Sequence, residues 1–355
     1  MQHLHRPFLI TFFSGILAVT SFAQIGGSST FSFLGRTNSA RVASMGGNIL
    51  AINDNDISLV LTNPSLITAE MNNTLALDFV SLRTAYSYGD IMYSKSFSKV
   101  GNFVGTFQFI NYGSFTYADI AGNTSGTFNA GEYALNIGWG RTLSPHFSIG
   151  ANGKLVYSQL ESYHAFGLAV DVAGSYHTTD DIFSASLVAR NIGIQLVQYI
   201  PEAHDPFPFE LQAGISTKLR HLPVRFSVLY NNLEKWDLTY NDPLSPDNQV
   251  DPITGQTKKK SEIGQIADKL MRHIVAGAEI TIAKAFSIRI GYNYRTRQEM
   301  KLTDRTALSG FTYGFGLRIK MFTLSYARAT YMAGSFNPNY FSLAMNLGQF
   351  TKKKE

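Results

Sequence analysis

The sequence predicts an all-β protein, a 14-stranded antiparallel transmembrane β-barrel with a short helical plug at its N-terminus. About fourteen segments alternate apolar or aromatic residues with small or polar ones, the pattern of strands with two unlike faces. Most are close to the ~9–11 residues with which a tilted strand crosses a bilayer. Only 15% of the residues are charged, against about 25% in a typical soluble domain. After the N-terminus the chain lacks the run of ~18 apolar residues that a membrane helix needs.

The first element is a signal peptide at residues 1–23. Arg6 precedes an apolar run from Phe8 to Val19, and small residues lie around Ala23. A positive start, an apolar centre and small residues at the cleavage site are typical of an export signal. The sequence therefore predicts an exported protein that is cleaved after Ala23.

The second element is an N-terminal plug at residues 24–73, which does not alternate as the later segments do. We expect Asn38 or Ser39 to cap a short helix that ends at the Gly46-Gly47 pair. A fourteen-stranded barrel is too wide for its own side chains to fill. An apolar segment that precedes the first strand is therefore predicted to lie in the lumen.

The plug also contains "DNDISLVLTNPSL", for which a ligand loop is the alternative interpretation. Asp54 to Asp56 lacks the glycine and the distal glutamate of a calcium loop, so helix capping is the favoured interpretation. The Asn63-Pro64 pair should stop the second short element. The residues assigned a structural role in the plug are Ser39, Arg41, Met45, Gly46, Gly47, Asp54, Asp56, Asn63 and Pro64.

The third element is the barrel wall at residues 74–350. Its predicted strands lie near 74–82, 90–97, 102–111, 130–141, 147–158, 164–176, 182–191, 208–219, 224–232, 272–282, 286–295, 310–320, 322–328 and 339–350. The strand faces that carry aromatic and aliphatic residues have almost no charge. A charge at mid-depth in lipid costs roughly 2–4 kcal/mol, so charges on the opposite faces should line the lumen and pair there. These lumen charges are Glu132, Lys154, Asp171, Arg190, Arg225, Glu279, Arg289 and Arg318.

The connections supply an independent test of the barrel. Short connections alternate with longer ones near 112–129, 192–207 and 233–271, the last being the longest. Bacterial outer-membrane barrels have short periplasmic turns, longer outer loops and an even strand count. Both termini should then be periplasmic, including a basic tail at 351–355. Alternation alone leaves a soluble β-sandwich open, and the loop asymmetry together with the signal peptide favours the barrel.

The sequence offers no catalytic, cofactor or metal motif. There are no cysteines, so disulfides and thiolate chemistry are excluded. The histidines are scattered: His146, His177 and His221 at predicted turns, His164 and His204 at loops, and His273 on a lumen face. A lumen carboxylate pair, as in an outer-membrane hydrolase, stays an alternative, with Glu132, Asp171 and Glu279 as its candidates. Because no catalytic motif is found, we predict a non-enzymatic protein. Because the basic tracts are short, we predict that it binds no nucleic acid.

Three stretches carry a resemblance to a known group: "FLGRTNSARVASMGGN", "DNDISLVLTNPSLIT" and "DKLMRHIVAGAEI". With the signal peptide and the alternating strands, they resemble the FadL-like outer-membrane barrels of Bacteroidota, and among these the PorQ-like proteins of the type IX secretion system. The resemblance covers nearly the whole mature chain.

This resemblance implies a non-enzymatic outer-membrane component of a Gram-negative bacterium, without a cofactor. It implies an attachment complex with PorU and PorV in which cargo is linked to lipopolysaccharide, and a PorZ-like surface partner bound through the outer loops. The alternative within the wider group is a FadL-type channel for hydrophobic compounds. That alternative predicts an apolar pocket in the lumen and a movable plug.

Overall fold

A computed structural model describes residues 29–82, 86–201, 205–239, 261–283, 285–300, 308–331 and 337–351. The predicted signal peptide, His204, residues 240–260 of the predicted long loop and the tail from residue 352 lie outside these ranges. The helices of the described residues are α1 (Ala40–Ser44), α2 (Glu262–Arg272), α3 (Tyr294–Met300) and α4 (Gly348–Thr351). Single 3₁₀ turns occupy Ser32–Gly35, Ile57–Leu59, Pro64–Leu66 and Ala69–Met71.

Fourteen strands follow the 3₁₀ turns in the described part of the chain. They are β1 (Thr74–Ser81), β2 (Ser87–Phe97), β3 (Gly101–Ala118), β4 (Thr124–Ser144), β5 (Phe147–Leu160), β6 (Tyr163–His177), β7 (Phe183–Val197), β8 (Glu210–Lys218), β9 (Val224–Tyr230), β10 (Ile274–Ile282), β11 (Phe286–Asn293), β12 (Phe311–Ile319), β13 (Phe322–Ala329) and β14 (Asn339–Asn346).

These strands form one closed antiparallel barrel. Each pairs with its neighbours in sequence, and β1 closes the ring on β14, from Thr74 opposite Asn346 to Ser81 opposite Asn339. Closure leaves no edge strand, so the strand backbones are hydrogen-bonded within the ring without help from solvent. The predicted 14-stranded antiparallel barrel is confirmed.

The two ends of the barrel differ. At one end β1 begins, β14 ends and the connections are short, such as the two residues between β12 and β13; we call this the turn end. The opposite end, which we call the loop end, carries the segments between β7 and β8 and between β9 and β10, with α2 and α3.

The predicted extent of the loop near 112–129 is wrong. Most of it continues β3 and β4 as a hairpin beyond the rest of the wall, and its turn is at 119–123. Aromatic residues explain the extension, because Phe128 stacks on Phe115 across the hairpin at 5.2 Å and also meets Tyr117 at 4.8 Å. Such cross-strand pairs stabilise a ladder. The predicted loop near 192–207 is shortened in the same way, because β7 runs to Val197.

The strand faces divide by chemistry. Outward positions expose large apolar side chains such as Leu135, Ile137 and Leu187, while inward neighbours such as Asn136 and Gln212 are buried. This distribution reverses that of a soluble protein, and it matches a wall that meets hydrocarbon outside and a polar lumen inside. None of the helices among the described residues is long and apolar enough to span a bilayer.

Candidate functional site

Residues 29–73 lie inside the ring and contact the wall on several sides. Ala40 donates its backbone N–H to a serine of β14, Gly46 donates to a threonine of β12, and the Asn63 side chain donates to a serine of β6, at 2.8, 2.9 and 3.0 Å. Near the loop end Phe31 packs on Phe207 at 5.2 Å, and near the turn end Met71 is buried beside β1 and β2. The segment therefore runs through the lumen from the loop end to the turn end.

Helix α1 begins and ends where its sequence signals lie. The Ser39 hydroxyl accepts a hydrogen bond from Val42 N at 3.4 Å, which caps the helix. After Met45 the chain turns through Gly46 and Gly47, whose φ angles are 100° and 91°. Those left-handed angles suit glycine, and they end the helix after one short stretch.

The turn after α1 approaches the wall at two glycines. A Cβ added to Gly277 of β10 would meet Met45 at 2.9 Å, and one added to Gly291 of β11 would overlap Gly46 N. Pro64 lies equally close to Gly150 of β5. The absence of side chains at these wall positions lets the plug backbone touch the strands directly.

Arg41 is the main ionic link between plug and wall. Its guanidinium lies 2.5 Å from Asp54, 2.8 Å from Asp56 and 2.9 Å from Glu279 of β10. Glu279 also binds Arg289 of β11 at 2.5 Å, and only 6% of the Arg41 side chain is exposed. Burial alone would raise the pKa of the Asp56 carboxyl, but Arg41 lowers it below its ordinary value. The cluster therefore joins both short plug elements to the barrel.

The aspartates of the "DND" stretch thus act in two ways. Asp56 caps the Ile57–Leu59 turn by accepting from Ser58 N at 3.0 Å, as capping predicts. It also binds Arg41, and so does Asp54. Among the described residues no group of three or more histidine, aspartate or glutamate side chains is arranged to hold a metal ion.

Asn63 fastens the second plug element. Its amide donates to Leu50 O at 2.7 Å and to Ser175 of β6, while its carbonyl accepts from Ser65 N at 3.0 Å. Pro64 begins the next 3₁₀ turn, where the missing N–H is not needed. The Asn-Pro pair therefore ends one plug element and starts the next.

The other predicted lumen charges divide into three groups. Lys154 and Asp171 form a buried ion pair at 2.7 Å. Glu132 and the two arginines at 190 and 225 hydrogen-bond neutral partners, namely the Tyr112 hydroxyl, Leu34 O and Ser216 Oγ, at 2.5, 3.1 and 3.3 Å. Arg318 follows the inward register but is exposed near the turn end.

The three carboxylates of the hydrolase alternative lie on three different strands and bind different partners. Glu132 of β4 accepts from a tyrosine, Asp171 of β6 pairs with a lysine, and Glu279 of β10 pairs with two arginines. The contacts of these residues therefore do not assemble an acid/base pair.

Two buried carboxylates on neighbouring strands were not identified from the sequence. Asp78 of β1 and Asp90 of β2 lie directly opposite each other. Asn38 of the plug donates to Asp90 at 2.7 Å, whereas neither oxygen of the Asp78 carboxyl has a hydrogen-bond partner in the described part of the chain. Both line a lumen cavity of about 20 Å³, a volume suited to water.

Apolar side chains fill much of the lumen near the loop end. The cluster includes Phe31, Phe33, Leu34, Tyr88, Val156, Phe207 and Tyr340, all buried. Larger cavities of about 350 and 730 Å³ are lined mainly by outward-facing residues, among them Phe79, Phe315, Leu187 and Ile215. The larger apolar depressions described here are thus on the wall, while the cavity between plug and wall is small and polar.

The loop end carries an amphipathic helix, which lies within the long loop predicted near 233–271. Ser261 caps α2 by accepting from Gly264 N at 3.2 Å. No residue of α2 is buried. Ile263, Ile266 and Leu270, at helical spacing, are 81%, 57% and 41% exposed, and Trp236 in the segment before the helix is 54% exposed. The spacing of these three apolar residues is the feature of the sequence that could have predicted the helix.

Polar contacts hold α2 in place below its exposed stripe. Asp268 binds Arg272 at 2.9 Å and accepts from the Tyr294 hydroxyl of α3 at 2.7 Å. Lys269 binds Asp237 at 2.7 Å. Partial burial would raise the pKa of Asp237, but the Lys269 contact lowers it to about 2. The contribution of this pair to stability is present above the ordinary aspartate range and is lost only as pH falls toward 2.

The sequence predicts His273 on a lumen-facing strand position, but His273 does not lie on a strand. It caps the C-terminal end of α2 and is fully buried against Tyr230 and Trp236. The prediction was wrong because the helix turns the chain before β10 begins.

Comparison with known proteins shows the fold. No family model matches the chain, and no curated protein sequence is similar to it. Among solved structures, the Ralstonia pickettii toluene transporter TbuX is 12% identical, with a TM-score of 0.52 over 89% of this chain and 100% of that chain. The Pseudomonas putida toluene transporter TodX is 9% identical, with a TM-score of 0.53 over 88% and 99%. Both are similar to this chain as barrels of the FadL-like architecture.

Proposed function

We propose that this chain is a non-enzymatic outer-membrane barrel of the type IX secretion system of a Bacteroidota bacterium, and that it anchors a PorZ-like surface protein at its loop end. The observation that carries the proposal is the exposed apolar stripe of α2 above a lumen occupied by the plug. In this arrangement the apolar outer wall is embedded in outer-membrane lipid and lipopolysaccharide. The turn end faces the periplasm and the loop end faces outward.

The occupied lumen supports an anchoring role. Arg41 links the plug to β10 through a buried ion pair, and Asn63 links it to β6 through a hydrogen bond. Opening a continuous path would break these contacts on different sides of the ring. A barrel whose lumen is fastened in this way suits a fixed platform more than a conduit.

The loop end supports a protein partner. Scattered apolar side chains are normal on a surface, whereas a contiguous apolar patch marks an interaction site. Ile263, Ile266 and Leu270 recur at helical spacing on α2 and are exposed, which we interpret as such a patch, and the ion pairs of α2 satisfy most of the neighbouring charges. The resemblance of "DKLMRHIVAGAEI", which contains the last five residues of α2, to PorQ-like proteins is the reason for proposing a PorZ-like partner.

Charged substitutions on the stripe test this role. Ile263→Glu and Ile266→Glu are each expected to weaken capture of the partner about tenfold or more, because burying a large apolar side chain contributes roughly 1.5–3 kcal/mol. The measurement is quantitative co-purification from the native outer membrane. The matched control is Ile120→Glu, since Ile120 is fully exposed at the tip of the β3–β4 hairpin. Equal recovery of the same partner with all three variants would contradict the proposal.

A second candidate function is a FadL-type channel for hydrophobic compounds. The similarity in fold to two toluene transporters favours it, and so does the apolar cluster around Phe31 and Phe207. The two candidates differ in transport: liposomes that contain the purified barrel should take up toluene or long-chain lipids only if it is a channel. Uptake that is abolished when a disulfide engineered at Ala40 and Ser342 locks the plug to β14 would favour the channel.

A further inference from the structure

A broad apolar depression lies on the outer wall across β5 to β9, and we call it the wall groove. Its volume is about 730 Å³, and the exposed side chains of Ile149, Leu187 and Ile215 line it. The wall groove is at the turn end, where β5 begins at Phe147 and β6 ends at His177. In the outer-membrane orientation proposed above, this surface meets the hydrocarbon of the periplasmic leaflet.

Small residues on three neighbouring strands form the floor of the wall groove. They are Gly174 of β6, Ala185 of β7 and Ala213 of β8. A Cβ added to Gly174 would meet nothing within 4 Å, so the space above this glycine is open. Gly174 lies between Ile149 and Leu187 in the ladder, and larger side chains therefore flank the floor. The wall thus has a groove bounded by bulky residues at a level where it meets lipid.

An arginine lies beside the wall groove on the outer face. Arg141 occupies an exposed position near the end of β4, which runs to Ser144, and it is directly opposite Ile149. Within the part of the chain that the structure describes, Arg141 has no hydrogen bond or ion pair. A charge on the lipid face is costly at mid-depth and nearly neutral at the interface, and a long arginine side chain can extend its guanidinium to the headgroups. Arg141 is thus placed to bind an anion at the level of the headgroups.

We propose that the wall groove and Arg141 bind one phospholipid of the periplasmic leaflet, with an acyl chain in the groove and the phosphate on Arg141. This proposal rests on the outer-membrane orientation of the barrel and not on its surface partner. An apolar groove is not filled by water, because its lining offers too few polar groups, so in hydrocarbon an acyl chain occupies it. A guanidinium can bind two phosphate oxygens at once. Lipopolysaccharide lies in the opposite leaflet, at the loop end.

Native mass spectrometry of the intact barrel in detergent tests the site. The wild type should retain one phospholipid after bulk lipid is removed, and stripped protein should regain one when phosphatidylglycerol is titrated in. Arg141→Gln is expected to weaken this binding about tenfold or more, the usual effect of losing a charge-assisted hydrogen bond. Gly174→Leu should weaken it to a similar extent by filling the floor of the wall groove, where the new side chain meets no other atoms.

Two controls make the same chemical changes away from the wall groove. Gly105→Leu alters β3 at a position where a Cβ also meets nothing within 4 Å. Arg328→Gln removes an exposed arginine of β13 near the loop end. Both variants should bind phosphatidylglycerol as the wild type does, because neither residue lines the groove.

Retention of the folded barrel by each variant is read from the migration of unheated samples in a denaturing gel. Should a variant fail to fold, a phospholipid with a photoreactive acyl chain decides on the unaltered protein, because its crosslinks should concentrate on β5 to β8. Wild-type binding by Arg141→Gln or Gly174→Leu, crosslinks spread evenly around the ring, or a protein crosslinked in place of lipid overturns the proposal. Capture of the surface partner by Gly174→Leu reports separately on the anchoring role, since α2 is at the opposite end of the barrel.

Discussion

Replacing Arg41 with methionine is expected to destabilise the assembly of plug and barrel by about 3–5 kcal/mol, the usual effect of removing one partner from a buried ion pair. The substitution keeps much of the side-chain volume but removes the charge that Asp54, Asp56 and Glu279 share. Glu279 retains Arg289, so the loss should fall mainly on the plug. Thermal unfolding and protease cleavage within residues 39–66 measure the effect.

The control for Arg41→Met is Arg295→Met. Arg295 pairs with Glu299 along α3 at 2.7 Å and donates to Asn232 at 3.2 Å, and a pair of this spacing on a helix contributes about 0.3–0.5 kcal/mol. Arg41→Lys separates charge from geometry, because lysine keeps the charge but has no planar fork with which to reach several carboxylates. Equal melting of Arg41→Met and Arg295→Met would contradict the anchoring role of Arg41.

Gly291→Ala is expected to displace the plug from the wall. The new methyl group would overlap the backbone at Gly46 and Met45, and backbone atoms do not move aside as a flexible side chain does. Overpacking of a filled interior typically costs 1–3 kcal/mol, and the cost here should lie at or above the upper end. Lower thermal stability and faster cleavage of the plug by protease measure it.

Gly153→Ala is the matched control on the wall. Gly153 lies on β5, and a Cβ there would meet nothing within 4 Å. This alanine should be neutral or slightly stabilising, since it restricts the unfolded chain. Unchanged protease resistance in Gly291→Ala would show that the plug does not rest on β11 as described.

Local signals carried much of the fold. Alternation with a period of two predicted the strands, since it reports which face meets lipid, and Ser39, Asp56 and Asn63 act as caps within three residues of their partners. The partner of Arg41 on the wall could not be predicted in this way, because Glu279 is 238 residues away along the chain. Only the closed ring brings the two residues together.

Three expectations from the sequence differ from the structure, each for its own physical reason. The sequence predicts a loop near 112–129, whereas stacking of Phe115 on Phe128 across the hairpin continues β3 and β4. The sequence predicts a strand that begins near residue 272, but α2 runs to Arg272 and His273 caps it. The inward register of Arg318 predicts a position inside the lumen. Arg318 lies near the turn end, where an inward position is open to water.

The position of the plug inside the ring has a consequence for how the molecule reaches its native state. Residues 29–73 are made before any strand, yet Ala40 binds Ser342, 302 residues later. Joining β1 to β14 around an absent segment would leave that segment to thread into a completed cylinder. The segment must therefore be enclosed as the seam forms, and the rate-limiting step should combine ring closure with plug docking, slow because of its extreme sequence separation.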